Sequence, residues 1–129
     1  MKQGAIIAAC HALNKIMEQD LSLSMAKKVF DMREKLQPSW DFQVMQERKI
    51  AAKYPHVDPA TATVSYDTGD AETEKERLAE LDSFIKELTS LSEMEQDLSV
   101  EPIVLRISEE NIKIAGKDIK ALKGFITFE

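Results

Sequence analysis

The sequence is poor in the residues that build reactive sites. Its 129 residues include one cysteine, two histidines, one tryptophan and four scattered glycines. The single cysteine, Cys10, excludes an internal disulfide and a metal site built from several thiolates, and it fits a reducing compartment. The scattered glycines exclude a glycine-rich loop that cradles phosphate groups. Every apolar run is shorter than the roughly 20 residues that a membrane-spanning helix needs, so we expect no membrane association.

Few side chains are candidates for metal binding or catalysis. Cys10 and His11 are adjacent, and neighbouring helix positions point about 100° apart, so the two cannot easily bind one ion. Cys10 with His56 could form a nucleophilic pair, but neither residue is flanked by a known nucleophile motif. The many carboxylates of residues 72–97 are predicted on a solvated helix face, which does not favour acid–base catalysis. We therefore predict a protein that is not an enzyme, with no catalytic residues, no cofactor and no metal.

The net charge of −6 is unevenly distributed. Residues 1–54 carry nine Lys/Arg against six Asp/Glu, residues 55–98 carry three against twelve, and residues 99–129 carry five of each. The three parts are therefore +3, −9 and 0. An acidic surface repels a phosphate backbone, so nucleic acid is disfavoured as the main partner. A lysine patch at residues 113–123 is the one exception, and its acidic neighbours favour an ordinary solvated face.

Helical periodicity dominates the first part of the chain. Apolar residues at three- and four-residue steps predict a first helix over residues 5–18. A second helix is predicted from a cap at Ser22 or Ser24 to about Tyr54. Pro38 lies inside it and removes one backbone hydrogen bond. We therefore predict either a kink near Glu34–Pro38 or a break, with Pro38 in the first turn of a new helix.

A third helix is predicted from Glu72 to about Leu91. Acidic residues crowd its first turns, where the helix dipole favours negative charge. Four apolar residues follow at 3-4-3 spacing, which is the pattern of a coiled-coil-like seam. Residues 55–70, between the second and third helices, contain two prolines and one glycine and are predicted as a connector.

The C-terminal part changes to alternation. Residues 103–107 and 125–128 have the pattern of strands, and residues 116–123 that of a two-turn helix ended by Gly124. We predict that the two strands form a small antiparallel sheet, with residues 61–67 as an optional third strand. The predicted fold is one α+β domain over residues 1–129. It consists of a helical bundle over residues 5–98 and a small β/α part over residues 99–129.

The chain has more apolar residues than three helices need to bury, and this excess predicts interfaces. One group lies on the second helix beyond Pro38, one on the third helix and one in the final strand. We expect these surfaces to join copies of the chain into a homo-oligomer or to bind another protein. The candidate interface residues are Trp40, Phe42, Met45, Ile50, Leu78, Leu81, Ile85, Leu88, Phe125 and Phe128.

The order of features resembles a family of small uncharacterised proteins from tailed phages and prophages of Gram-positive hosts. The resemblance covers residues 12–54 and residues 112–129. Its features are an Ala-Leu-Asn-Lys helix at Ala12–Lys15, a break at Leu21–Leu23, Pro38 before the aromatic Trp40, and a Lys53-Tyr54 ending. The C-terminal block IKIAGKDIKALKGFITFE resembles the closing strand, short helix and final Phe-Ile segment of the family.

The resemblance implies a phage-encoded protein located in the cytoplasm of the bacterial host or on the virion. Two functions are compatible with that context. The first is a non-catalytic structural or assembly accessory protein that acts through helix and strand-edge contacts. The alternative is a small inhibitor or regulator that binds a host defence protein, with the acidic helix imitating nucleic-acid charge. No catalytic residues are assigned in the family, so the resemblance adds none.

Overall fold

The computed structural model describes residues 1–54, 57–58, 63–64 and 71–129. Most of these residues are helical, which confirms the predicted mainly helical α+β class. The helices are α1 (Gln3–Met17), α2 (Leu23–Lys53), α3 (Ala71–Glu93) and α4 (Gly116–Ala121). The short strands are β1 (Val57–Asp58), β2 (Thr63–Val64), β3 (Ile103–Leu105) and β4 (Ile126–Phe128).

The boundary between α1 and α2 follows from local sequence. Ser22 is the N-cap of α2, and its hydroxyl oxygen accepts a hydrogen bond from the backbone N–H of Met25 at 3.3 Å. This bond satisfies one of the backbone donors that a helix start leaves free. The predicted serine cap is therefore confirmed at Ser22.

Pro38 does not break α2, which continues as one helix from Leu23 to Lys53. Of the two predicted alternatives, the break with a new helix beginning at Pro38 is therefore excluded. Proline leaves the carbonyl of the residue four positions earlier, here Glu34, without its helical donor. Glu34 and Pro38 are both exposed, so water can satisfy that carbonyl, while Leu36 nearby is fully buried and anchors the helix.

The C-terminal sheet is parallel, and the predicted antiparallel pairing was wrong. Val104 of β3 faces Thr127 of β4 with both strands running in the same direction. Parallel strands need a crossover connection of about a dozen residues or more, and residues 106–125 supply one that contains α4. The connection returns the chain to the start of β3, through a turn at Gly124 with φ +88.

The connector strands do not join this sheet. β1 and β2 form a separate two-stranded antiparallel hairpin, in which Val57 faces Val64. The optional third strand at residues 61–67 is therefore represented only by Thr63–Val64, and the rest of that prediction lies outside the described residues. This hairpin packs against α3.

The main core lies where α1 packs against the first half of α2 and against the C-terminal sheet. Aliphatic side chains at helical spacing form most of this core, and strands β3 and β4 together with α4 cover one side of it. The buried members are Ile6, Ala9, Cys10, Ala12, Leu13, Ile16, Met25, Val29, Met32, Leu36, Leu105, Leu122, Phe125 and Ile126.

A second core lies between the C-terminal half of α2 and α3. Its central residue is Phe84, which is 1% exposed and contacts Tyr54 edge to face with ring centroids 6.0 Å apart. Ile50, Val57 and Leu91 are buried with it. The second half of α2 therefore has α3 as its partner within the same chain.

Hydrogen bonds link the C-terminal part to the segment between α1 and α2. Glu110 accepts hydrogen bonds from the Ser22 backbone N–H at 2.9 Å and the Ser22 hydroxyl at 2.7 Å. The Gln19 side chain donates to the Lys113 carbonyl at 2.7 Å and accepts from the Lys113 N–H at 2.6 Å. These bonds hold the chain between β3 and α4 at the turn that joins α1 to α2.

Candidate interaction surfaces

The structure separates the ten predicted interface residues into exposed and internal groups. Leu78, Met45 and Ile85 are 60%, 48% and 46% exposed, although all three are large and apolar. Ile50 and Phe125 are buried inside the chain. The remaining five are half-buried, and these are Trp40, Phe42, Leu81, Leu88 and Phe128.

Three of the four residues of the predicted seam on α3, namely Leu78, Leu81 and Ile85, lie beside the face that α3 buries, whereas the fourth, Leu88, belongs to that face. Phe84 and Leu91, together with half-buried Leu88, face the second core. Ile85 follows the core residue Phe84 and is rotated from it by roughly 100°, and Leu78, two helical turns before Ile85, lies on the same flank. The flank is therefore an apolar row, defined as Leu78, Leu81 and Ile85, that the described part of the chain leaves largely uncovered.

Phe84 was missing from the predicted interface residues. The signal for it was present, because Phe84, Leu88 and Leu91 also recur at four- and three-residue steps. Two overlapping apolar stripes on one helix predict two packing surfaces. Contacts with α2 and with Val57 of the β1–β2 hairpin cover the stripe of Phe84 and Leu91.

Charge surrounds the apolar row. The α3 segment, residues 71–93, has three basic and seven acidic residues, which gives −4. Asp82, between the row residues in sequence, binds Lys86 at 2.9 Å in an i,i+4 ion pair on the exposed side. On the side that faces α2, Glu87 pairs with Lys53 at 2.8 Å. The Lys53 ammonium, followed by the Tyr54 hydroxyl, lowers the pKa of Glu87 below its ordinary value.

Trp40 lies at the junction of α1 and α2. Its ring contacts His11 edge to face at 5.0 Å between centroids, and the Arg33 guanidinium lies over it at 5.0 Å. Beyond it, the outward face of α2 forms an open groove of about 640 Å³, lined by residues that include Val44 and Met45. Trp40 therefore has a structural role in the α1–α2 contact and presents only part of its surface to a partner.

Cys10 and His56 are the two residues that the sequence offered as a nucleophilic pair. Cys10 is fully buried, and its burial raises the pKa of the thiol, so the reactive thiolate is disfavoured. His56 lies outside the described residues. Within the described ranges, no group of three or more His, Cys, Asp or Glu side chains is placed to hold a metal ion.

No helix in the described part of the chain is long and apolar enough to cross a membrane. Comparison of the chain with protein-family models, with curated proteins and with solved structures gives no match. The arrangement of exposed apolar side chains is thus the main structural guide to function.

Proposed function

We propose that this chain is a non-catalytic structural or assembly accessory protein of a phage or prophage, which works by binding proteins, including copies of itself. The observation that carries the binding role is the apolar row on α3, which the described residues leave largely uncovered. Leu78 and Ile85 expose about half of their surface or more, beside the second core. The phage context rests on the resemblance at residues 12–54 and 112–129.

An apolar row of this kind suits a partner helix. Leu78, Leu81 and Ile85 have the 3-4 spacing at which a second helix packs its side chains between them. Burying this row stabilises a complex through the hydrophobic effect, because each fully covered leucine or isoleucine contributes about 1.5–3 kcal/mol. The proposed partner is a second copy of the chain or another protein of the same assembly, in the host cytoplasm or on the virion.

The test combines sedimentation equilibrium with two matched variants. The wild-type protein is expected to sediment above 14.6 kDa, the mass of one chain, at high concentration. The double variant Leu78→Ser with Ile85→Ser removes the apolar row and is expected to be monomeric. Ala79→Ser introduces the same residue at an exposed position away from the row and is expected to associate like the wild type.

Two results contradict this proposal. A monomer at high concentration, combined with no partner recovered from infected cells, contradicts binding through the row. Association that survives the double variant contradicts the role of Leu78 and Ile85. Circular dichroism of each variant checks that the helices are intact, which is expected because both side chains are exposed.

The acidity of α3 favours a second candidate function. A helix with a net charge of −4 could occupy a basic nucleic-acid-binding surface of a host defence protein, as an inhibitor or regulator would. The two functions differ in their salt dependence. Charge imitation predicts binding that weakens steeply between about 50 and 200 mM salt, whereas an apolar contact persists. A pull-down from infected cells, washed at both salt concentrations, distinguishes the two.

A further inference from the structure

The residues around α4 form a small basic surface. α4 and the turn after it, residues 116–124, contain three lysines and one acid, and this acid, Asp118, pairs with Lys15 of α1 at 3.4 Å. Residues 116–124 and Lys15 together carry +3, and we name this surface the basic end. The three lysines of residues 116–124 are exposed and have no ion-pair partner among the described residues; these are Lys117, Lys120 and Lys123.

Acidic residues at the turn between α1 and α2 reduce this charge without cancelling it. Glu18 and Asp20 belong to that turn, and Lys113 is held against it by backbone hydrogen bonds. Glu110 accepts two hydrogen bonds from Ser22 at the start of α2. When Lys113 and these three acids are counted with the basic end, the sum is still +1. The positive charge of this region is therefore concentrated at α4.

The first half of α3 has the opposite charge. Residues 71–82 contain five acidic and two basic residues, which gives −3. In the second half of α3 the carboxylates are paired within the chain, since Glu87 binds Lys53 and Glu93 binds Lys2. The apolar row begins within residues 71–82 and ends one helical turn beyond them. The row therefore lies in the part of α3 where negative charge is in excess.

The basic end also exposes an apolar side chain. Ile119 lies between Lys117 and Lys120 in sequence and is 40% exposed. An isoleucine among lysines is complementary to an apolar row among acids, because the apolar side chains can be buried together while opposite charges approach each other around them. In such a contact the burial supplies most of the free energy, and the charges select the partner and its orientation.

The two surfaces lie at opposite ends of α2. The chain leading to α4 is bonded to the start of α2 through Glu110 and Ser22, whereas Lys53 at the end of α2 contacts Glu87 of α3. The first half of α3 precedes Glu87 and lies at that far end, beside the β1–β2 hairpin. α2 has 31 residues and is about 45 Å long. The apolar row and the basic end are therefore too far apart to meet within one chain.

We propose that copies of this chain associate head to tail, with the apolar row of one copy packed on the basic end of the next. This inference rests on the proposed self-association and adds the surface that the row binds. Because the contact joins two different surfaces, a bound pair still has one free row and one free basic end. Contacts of this kind produce a closed ring when the rotation between copies allows it and an open chain of subunits otherwise.

Charge reversal at the basic end tests this arrangement. The double variant Lys117→Glu with Lys120→Glu leaves the apolar row intact and is expected to weaken self-association at least about tenfold, because it places like charges against α3. The matched control is Lys35→Glu with Lys49→Glu, which reverses two exposed lysines of α2 outside both surfaces. The control is expected to associate like the wild type in sedimentation equilibrium.

An equimolar mixture of two variants distinguishes a head-to-tail contact from a contact between two rows. Leu78→Ser with Ile85→Ser lacks the row and retains the basic end, whereas Lys117→Glu with Lys120→Glu retains the row. Each variant alone is expected to be monomeric. The mixture is expected to form a dimer of about twice 14.6 kDa and nothing larger, because one intact surface of each kind remains. Circular dichroism and thermal melting check that each variant is folded.

Three results overturn this inference. The first is a charge-reversed variant that associates like the wild type while the row variant is monomeric, because that result assigns a row-to-row contact and leaves the proposed function standing. The second is a mixture of the two monomeric variants that stays monomeric. The third is a wild-type protein that is monomeric at high concentration, in which case the pull-down from infected cells decides separately whether the row binds another protein.

Discussion

The Phe125 side chain should contribute more to stability than any exposed residue of the C-terminal part. It is 3% exposed and packs in the main core with Leu105, Leu122 and Ile126. Phe125→Ala keeps the backbone carbonyl that accepts the Ile103 N–H, so the change removes packing alone. A phenylalanine-to-alanine change in a core costs about 3–5 kcal/mol, through lost transfer free energy and the cavity that remains.

Urea unfolding followed by far-UV circular dichroism measures this cost. The free energy of unfolding of a small protein falls by about 1–3 kcal/mol for each molar of urea. A loss of stability of this size should therefore lower the urea concentration at the unfolding midpoint by about 2 M. Ile119→Ala, on α4 and 40% exposed, is the matched control and should change the midpoint by less than about 0.5 M. Equal shifts in the two variants would refute the argument that the C-terminal part is an integral part of the core.

Two further predictions concern the same part of the chain. Deletion of residues 124–129 removes β4 and opens the inner edge of β3, so the protein should aggregate or lose cooperative melting while the helices keep much of their circular dichroism. Glu110→Gln should lower stability at neutral pH, because hydrogen bonds from the Ser22 N–H and then its hydroxyl lower the pKa of Glu110 below its ordinary value of 4.5. The carboxylate therefore stabilises the fold above pH 4.5, and this contribution is lost as the pH falls through the lower folded-state pKa.

Each of these predictions has a clear contrary result. An unchanged melting temperature after the deletion would mean that residues 124–129 form a free docking peptide rather than part of the sheet. For Glu110, melting of wild type and variant is compared from pH 7 downward. Curves that remain separated by the same amount at pH 2 would contradict the assignment to this carboxyl group.

The helices were predictable because their signals are local. The spacing of apolar residues in α1, α2 and α3 and the Ser22 cap depend on residues within a few turns, so the predicted bounds differ from those observed by only a few positions. The short α4 was predictable for the same reason, although it ends at Ala121, and Gly124 lies in the turn that follows it rather than at the helix end. The apolar row on α3 was also predictable, because the helix has more apolar residues than one buried face needs.

The direction of the β3–β4 pairing was not predictable in this way. Alternation marks both strands equally well for either direction, and the path of the chain between them decides which one forms. The continuity of α2 through Pro38 is similar, since it depends on Leu36 being held in the core while Glu34 faces solvent. The allocation of Ile50 to a core within the chain also depends on where α3 lies.

The sequence by itself thus determined a mainly helical α+β chain, the scarcity of reactive side chains and the acidity of α3, because these depend on composition and on short-range spacing. Only the tertiary structure decided which apolar stripe of α3 is covered and in which direction β3 and β4 pair. The physical reason is that burial is a property of pairs of surfaces. Phe84 is internal because α2 covers it, and Leu78 is exposed because no described element does.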